Sequence, residues 1–132
     1  MITFVDTNVL LDVFLPDPEF GGKSLEAIEK AYNEGSLIIN NIIYAELAPQ
    51  FDNKEFLDNT LVKLGIRIIP IDQKVAYTAG MTWKQYRNSG GSRKRILTDF
   101  LIGAHAQIHS ERLLSRDRGF YKKYFGNLNV IY

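Results

Sequence analysis

Ile2-Thr3-Phe4-Val5-Asp6-Thr7-Asn8 decides how the chain is read: a short apolar, β-branched run ends on a carboxylate. Four more runs of strand length follow, at residues 37–39, 67–71, 112–115 and 128–131. Helical patterns separate them. Residues 23–34 place Leu25, Ile28 and Tyr32 on one face before Gly35, and Asn40 or Asn41 caps a helix that Pro49 ends or kinks. Asp52 and Glu55 resemble a capping box opening a helix through Leu64, with Phe56, Thr60, Leu61 and Leu64 inward. Asp72 caps a helix whose stripe is Val75, Ala79, Trp83 and Tyr86. Residues 98–109 form a helix apolar almost all round, and residues 120–125 a short one. Strands alternating with helices predict right-handed crossovers and a parallel sheet. Runs that are continuously apolar predict a sheet covered on both faces. The expected class is α/β, a three-layer α/β/α sandwich around a mainly parallel five-stranded sheet.

The 132 residues suit one domain over residues 1–132, and 45% apolar with 23% charged residues excludes wholesale disorder. The absence of cysteine excludes disulfides, iron–sulfur clusters and thiol nucleophiles. No basic leader precedes the first strand, and Asp6 and Asp12 interrupt its apolar surroundings, so a cytoplasmic protein without a membrane span is expected. The net charge of +1 conceals a division: residues 1–83 hold 6 basic and 12 acidic residues, residues 84–132 hold 10 and 3. Such asymmetry fits one surface built for a polyanion, unless the halves interleave and cancel.

In open α/β sheets, chemistry gathers beyond the carboxyl ends of the strands. Asp6 ends the first strand and Asp117 follows the fourth by two residues. Glu46 lies about one turn into the helix after the second strand, and Asp99 opens the helix leading into the fourth. Each alone has an ordinary reading: Asp6 or Asp117 as a helix cap, Asp99 as a first-turn acid, Glu46 as a solvent-facing residue. Converging, they would repel by about 4 kcal/mol per pair at roughly 4 Å and an effective dielectric near 20. A hard divalent cation resolves that, and oxygen-only ligands point to Mg2+ or Mn2+.

FVDTNVLLD at 4–12, AEL at 45–47, TDFLIGAHA at 98–106 and SRDRGFYKKYF at 115–125 together resemble the signature blocks of PIN-domain ribonucleases. The similarity is greatest to the toxins of VapBC-type toxin–antitoxin pairs. The resemblance implies a PIN-like fold and metal-dependent hydrolysis of RNA phosphodiesters. It also implies a small antitoxin partner and a homodimer. Carried over by position, Asp6, Glu46, Asp99 and Asp117 match the catalytic acidic quartet, with Asp6, Asp99 and Asp117 as metal ligands. Asn8 and Ser115 match its supporting polar positions. Pro49 departs from the pattern, shortening a helix that runs further in relatives.

Arg93, Lys94 and Arg95 precede Asp99, and Arg116 and Arg118 flank Asp117, so these cations are candidates for RNA phosphates. Lys122 and Lys123 are weaker ones. His105 and His109 have the spacing of a metal pair but lack an HExxH context, and read as core or surface residues. Asp12, Asp17 and Glu19 are expected in a polar turn around Pro16 and Pro18. Two other functions remain open on sequence: a non-catalytic RNA- or protein-binding module, and an aspartate- and magnesium-using phosphotransfer or phosphatase domain. The latter would want Asp-x-Asp where this chain has Asp6-Thr7-Asn8.

Overall fold

A computed structural model describes residues 1–92 and 95–132. The strands are β1 (Ile2–Val5), β2 (Ser36–Ile39), β3 (Ile66–Ile68), β4 (Arg112–Leu114) and β5 (Val130–Ile131), in one sheet of order β3-β2-β1-β4-β5. All four pairings are parallel, with Thr3 opposite both Leu37 and Arg112 and Val5 opposite Leu114. Thr3, Phe4 and Val5 are each fully buried, as are Leu37, Leu113 and Ile39. Successive strand residues point to opposite faces, so both faces of the sheet are covered. This is the expected α/β sandwich.

The helices are α1 (Thr7–Phe14), α2 (Gly21–Glu34), α3 (Asn41–Leu47), α4 (Lys54–Lys63), α5 (Gln73–Asn88), α6 (Leu97–His109) and α7 (Arg118–Tyr124). Asn40 and Asp72 cap as expected, accepting from Ile43 N at 3.1 Å and Val75 N at 2.8 Å. Pro49 converts the end of α3 into a 3-10 turn at Ala48–Gln50.

Four local expectations are corrected. First, α1 follows β1 directly, with Asp6 as its cap, and Asp12 lies buried in this helix instead of in a turn. Second, Asn53, not Asp52, caps α4, accepting from Phe56 N at 2.8 Å. Leu61 faces inward as expected, but its inward neighbour is Leu57, and Phe56 is 55% exposed. Third, Leu25 and Tyr32 are exposed, because α2 rests on Ser24, Ile28 and Ala31. Fourth, β3 stops at Ile68, three residues early, and Trp83 is half-buried on its helix.

The chain begins in the middle of the sheet, builds outward to β3, then crosses to β4 on the opposite side of β1. The carboxyl ends of β1 and β4 therefore flank the point where winding reverses, the natural crevice of an open α/β sheet. An aromatic cluster secures the elements beside it: Phe100 lies 5.3 Å from the rings of Tyr86 and Phe120 and 6.1 Å from that of Tyr124. These contacts tie α5, α6 and α7 into one body.

Candidate active site

Asp6 stands at this switch point, at the carboxyl end of β1. Its backbone N–H extends the β1–β4 ladder by donating to Leu114 O at 2.9 Å. Its Oδ1 accepts from Thr7 N at 2.7 Å, which caps α1, and its Oδ2 accepts from Ser115 Oγ at 2.7 Å. Asp6 is only 5% exposed. Burial pushes its pKa up to about 6, against the lowering effect of Ser115, Thr7 and Tyr121; the negative charge of Glu46 adds to the rise. No arginine or lysine pairs with it among the described residues.

Asn8 and Ser115 stitch the two strand ends together. Asn8 Nδ2 stands 3.4 Å from both Asp6 Oδ2 and Ser115 Oγ, and Asn8 Oδ1 accepts from Arg116 N at 3.2 Å. Ser115 Oγ, buried completely, also accepts from Asp117 N at 2.9 Å. One serine hydroxyl thus orients one acid by donating and the backbone of another by accepting.

The other acids each have a different partner. Glu46, exposed on α3, accepts from Thr7 Oγ1 at 2.6 Å. Asp99, half-buried in the first turn of α6, accepts from Ile96 N at 3.1 Å. Asp117 is held by Arg95 through two bonds, Nη1 to Oδ2 at 2.6 Å and Nη2 to Oδ1 at 3.1 Å.

Tyr121 reveals how near these groups are. Its hydroxyl is pushed far above the ordinary phenol range by burial first, then by the charge and hydrogen bonding of Asp6 and by the charges of Asp99 and Asp117. A buried phenol facing three carboxylates stays protonated and can only stabilise them as a donor. Sequence reasoning missed Tyr121 because an aromatic residue in a short amphipathic helix reads as core. The available signal was its position, one helical turn after Asp117.

Geometry toward a cation is mixed in an informative way. Among the described residues, no three His, Asp or Glu side chains close on a common point that could hold a metal ion. Yet the donor set is all oxygen, and Asp6 is a desolvated carboxylate without a cationic partner among the described residues, which suits a hard divalent ion. Both oxygens of Asp117 already accept from Arg95.

The basic residues are distributed less simply than their sequence order suggests. Arg116 points away from Asp117 and into the fold, donating to Asp12 from Nε at 2.7 Å and Nη2 at 3.0 Å while covering the Phe20 ring at 4.0 Å. Arg118, Lys122 and Lys123 are exposed, with Arg118 Nη1 reaching Tyr132 O at 3.3 Å. Arg93 and Lys94 lie outside the described residues. His105 is buried with Nδ1 3.1 Å from Asn40 Nδ2, and His109 pairs with Asp72 at 2.6 Å, so neither belongs to the crevice.

A family model of the PIN domain matches residues 3–126. The comparison with curated protein sequences returns no match. Among solved structures, the fold is similar to VapBC2 from Rickettsia felis bound to a promoter DNA fragment, with TM-score 0.71 and 23% identity over 99% of this chain and 98% of that one. It is also similar to VapBC-1 from nontypeable Haemophilus influenzae, with TM-score 0.71 and 18% identity over 99% and 97%. A third similar structure is FitAcB from Neisseria gonorrhoeae, with TM-score 0.66 and 24% identity over 100% and 97%.

Proposed function

Because the chain belongs to the PIN domain family, we propose that it is a divalent-metal-dependent endoribonuclease, the toxin of a toxin–antitoxin pair, built as a single nuclease domain. The observation that carries this reading is Asp6: a carboxylate 5% exposed at the sheet's switch point, uncompensated by any described cation, with Tyr121 turned to it and to two further acids. Burying such a charge costs free energy that a bound cation offsets. Structural likeness to VapBC and FitAB complexes supports an antitoxin partner.

In this reading Asp6, Asp99 and Asp117 would hold Mg2+ or Mn2+, and Glu46 would complete the acidic rim. The ion would supply a water of lowered pKa and offset charge on the phosphoryl oxygens. Ser115 and Asn8 hold the Asp6 carboxylate in one orientation, and Thr7 does the same for Glu46. Tyr121 keeps its proton and donates toward Asp6. Arg118 and the loop cations would meet substrate phosphates, with affinity falling as salt rises. Among the described residues no helix is long and apolar enough to cross a membrane. A cytoplasmic site of action and homodimerisation belong to the same proposal.

The test is incubation of the purified protein with defined RNAs in Mg2+ or Mn2+, then with excess chelator. Metal-dependent internal cleavage that Asp6→Asn abolishes is expected. Equal cleavage by Asp6→Asn, or cleavage indifferent to chelator, refutes the assignment. RNA binding without cleavage would instead favour the non-catalytic module.

A further inference from the structure

We propose that Arg95 is a resident counter-ion of the acidic crevice, competing with a divalent cation for the Asp117 carboxylate. This deepens the metal-dependent reading and rests on it. Both carboxylate oxygens of Asp117 are engaged by the two ends of one guanidinium, at 2.6 and 3.1 Å. That fork-to-carboxylate match is among the strongest pairings a carboxylate makes with a side chain, because it satisfies geometry and charge together. The guanidinium also lies 4.2 Å above the Phe120 ring, which steadies it over α7, and it feels the charge of Asp99 as well.

Three features make this a contact able to exchange. The side chains of Arg95 and Asp117 are 31% and 34% exposed, so water and ions reach the pair. Arg95 lies in the connection between α5 and α6, outside either helix, and can swing without breaking helical hydrogen bonds. Asp117 stays in place when Arg95 leaves, since its backbone N–H remains on Ser115 Oγ. A released guanidinium fits a phosphodiester as well as it fits a carboxylate, so the same residue serves the crevice before metal arrives and is free for substrate afterwards. By contrast, of the two arginines that flank Asp117 in sequence, Arg116 is already committed to Asp12 and Arg118 reaches Tyr132 O.

Calorimetric titration of Mn2+ into the purified protein tests this directly. Arg95→Gln is expected to bind Mn2+ about tenfold more tightly than the unsubstituted chain, and Arg95→Lys, which keeps charge but loses the fork, to fall between them. In an Asp117→Asn background, Arg95→Gln should change Mn2+ affinity by less than about twofold, since the competed group is gone. Unchanged or weaker Mn2+ binding by Arg95→Gln overturns the proposal. So does a full gain that persists with Asp117→Asn, which would mark a general charge effect. If no form of the protein binds Mn2+, the metal-dependent reading itself fails; normal binding without an Arg95 effect sinks only the competition.

Discussion

Arg116 and Asp12 form a two-pronged ion pair across the interior, Nε to Oδ2 at 2.7 Å and Nη2 to Oδ1 at 3.0 Å, although 104 positions separate them in the chain. Ser24 Oγ donates to the same Oδ2 at 2.6 Å and meets Tyr132 Oη at 2.9 Å. The pair therefore joins α1, α2, the chain's last residue and the loop that carries Ser115 and Asp117.

Cutting one side of this network strands the other. Asp12 is 4% exposed, so Arg116→Met leaves a buried carboxylate held by Ser24 alone, and we expect destabilisation of about 3 kcal/mol in urea unfolding. Replacing both partners with apolar residues should recover most of that loss. Additive losses in the double variant would show that the two residues act independently.

Asp6→Asn should stabilise the metal-free protein. The folded pKa of about 6 lies above the ordinary 3.8, so the folded chain binds the proton more tightly and stability falls as pH rises from about 4 through about 6. The shift corresponds to about 3 kcal/mol. The advantage of Asp6→Asn in chelator should therefore be absent near pH 4, grow through pH 6 and level off near pH 7. Urea unfolding of both forms across that range measures it, and a constant difference would contradict the desolvation account.

His105 works in the opposite sense. Burial, with the charge of His109, lowers its pKa to about 4 against the ordinary 6.5, while Asp72 resists the shift. Asn40 Oδ1 already accepts from Ile43 N, which leaves its Nδ2 to donate to His105 Nδ1. The neutral ring then carries its proton on Nε2, a buried atom with no partner among the described residues. Because the unfolded chain protonates first, stability is lost as pH falls from about 6.5 through about 4, by about 3 kcal/mol. His105→Leu should be flatter over that window. Asp6 and His105 oppose each other in the unsubstituted protein, so only the single variants reveal either slope.

Two helical glycines should respond oppositely to alanine. A Cβ on Gly103 would collide with the Phe125 ring, so Gly103→Ala is expected to lose about 1–3 kcal/mol despite better helix propensity. Gly80 has open space at the same position, and Gly80→Ala should gain about 0.5–1 kcal/mol. Thermal unfolding of the two variants side by side decides it.

The strands and most caps were legible in the amino-acid order because their causes are local. Leu37, Ile38 and Ile39 are a continuous apolar run, and Asn40 stops it and caps α3. α1 was hidden because Asp6 does two things at once, closing a strand and opening a helix, while Pro16 and Pro18 nearby suggested a turn. The cap of α4 went to Asn53 instead of its acidic neighbour, because Asn53 Oδ1 reaches Phe56 N. Asp6 and Asp117 could be placed beside the sheet edge from the ends of β1 and β4 alone. What each acid touches could not, because Asp117 meets a residue 22 positions away and Asp12 one 104 away.

Ser115 reaches Asp6 over 109 positions, the same interval that separates the paired residues of β1 and β4 beneath them. Long-range pairing of this kind forms late, once the entropy of closing the intervening chain has been overcome. A ribosome that has made only β1 to β3 holds a polypeptide with Asp6 and Glu46 but no pocket wall to set them against. Under the proposed function the half-made product would be harmless, since Ser115 and Asp117 join Asp6 only after the fourth strand has emerged and docked.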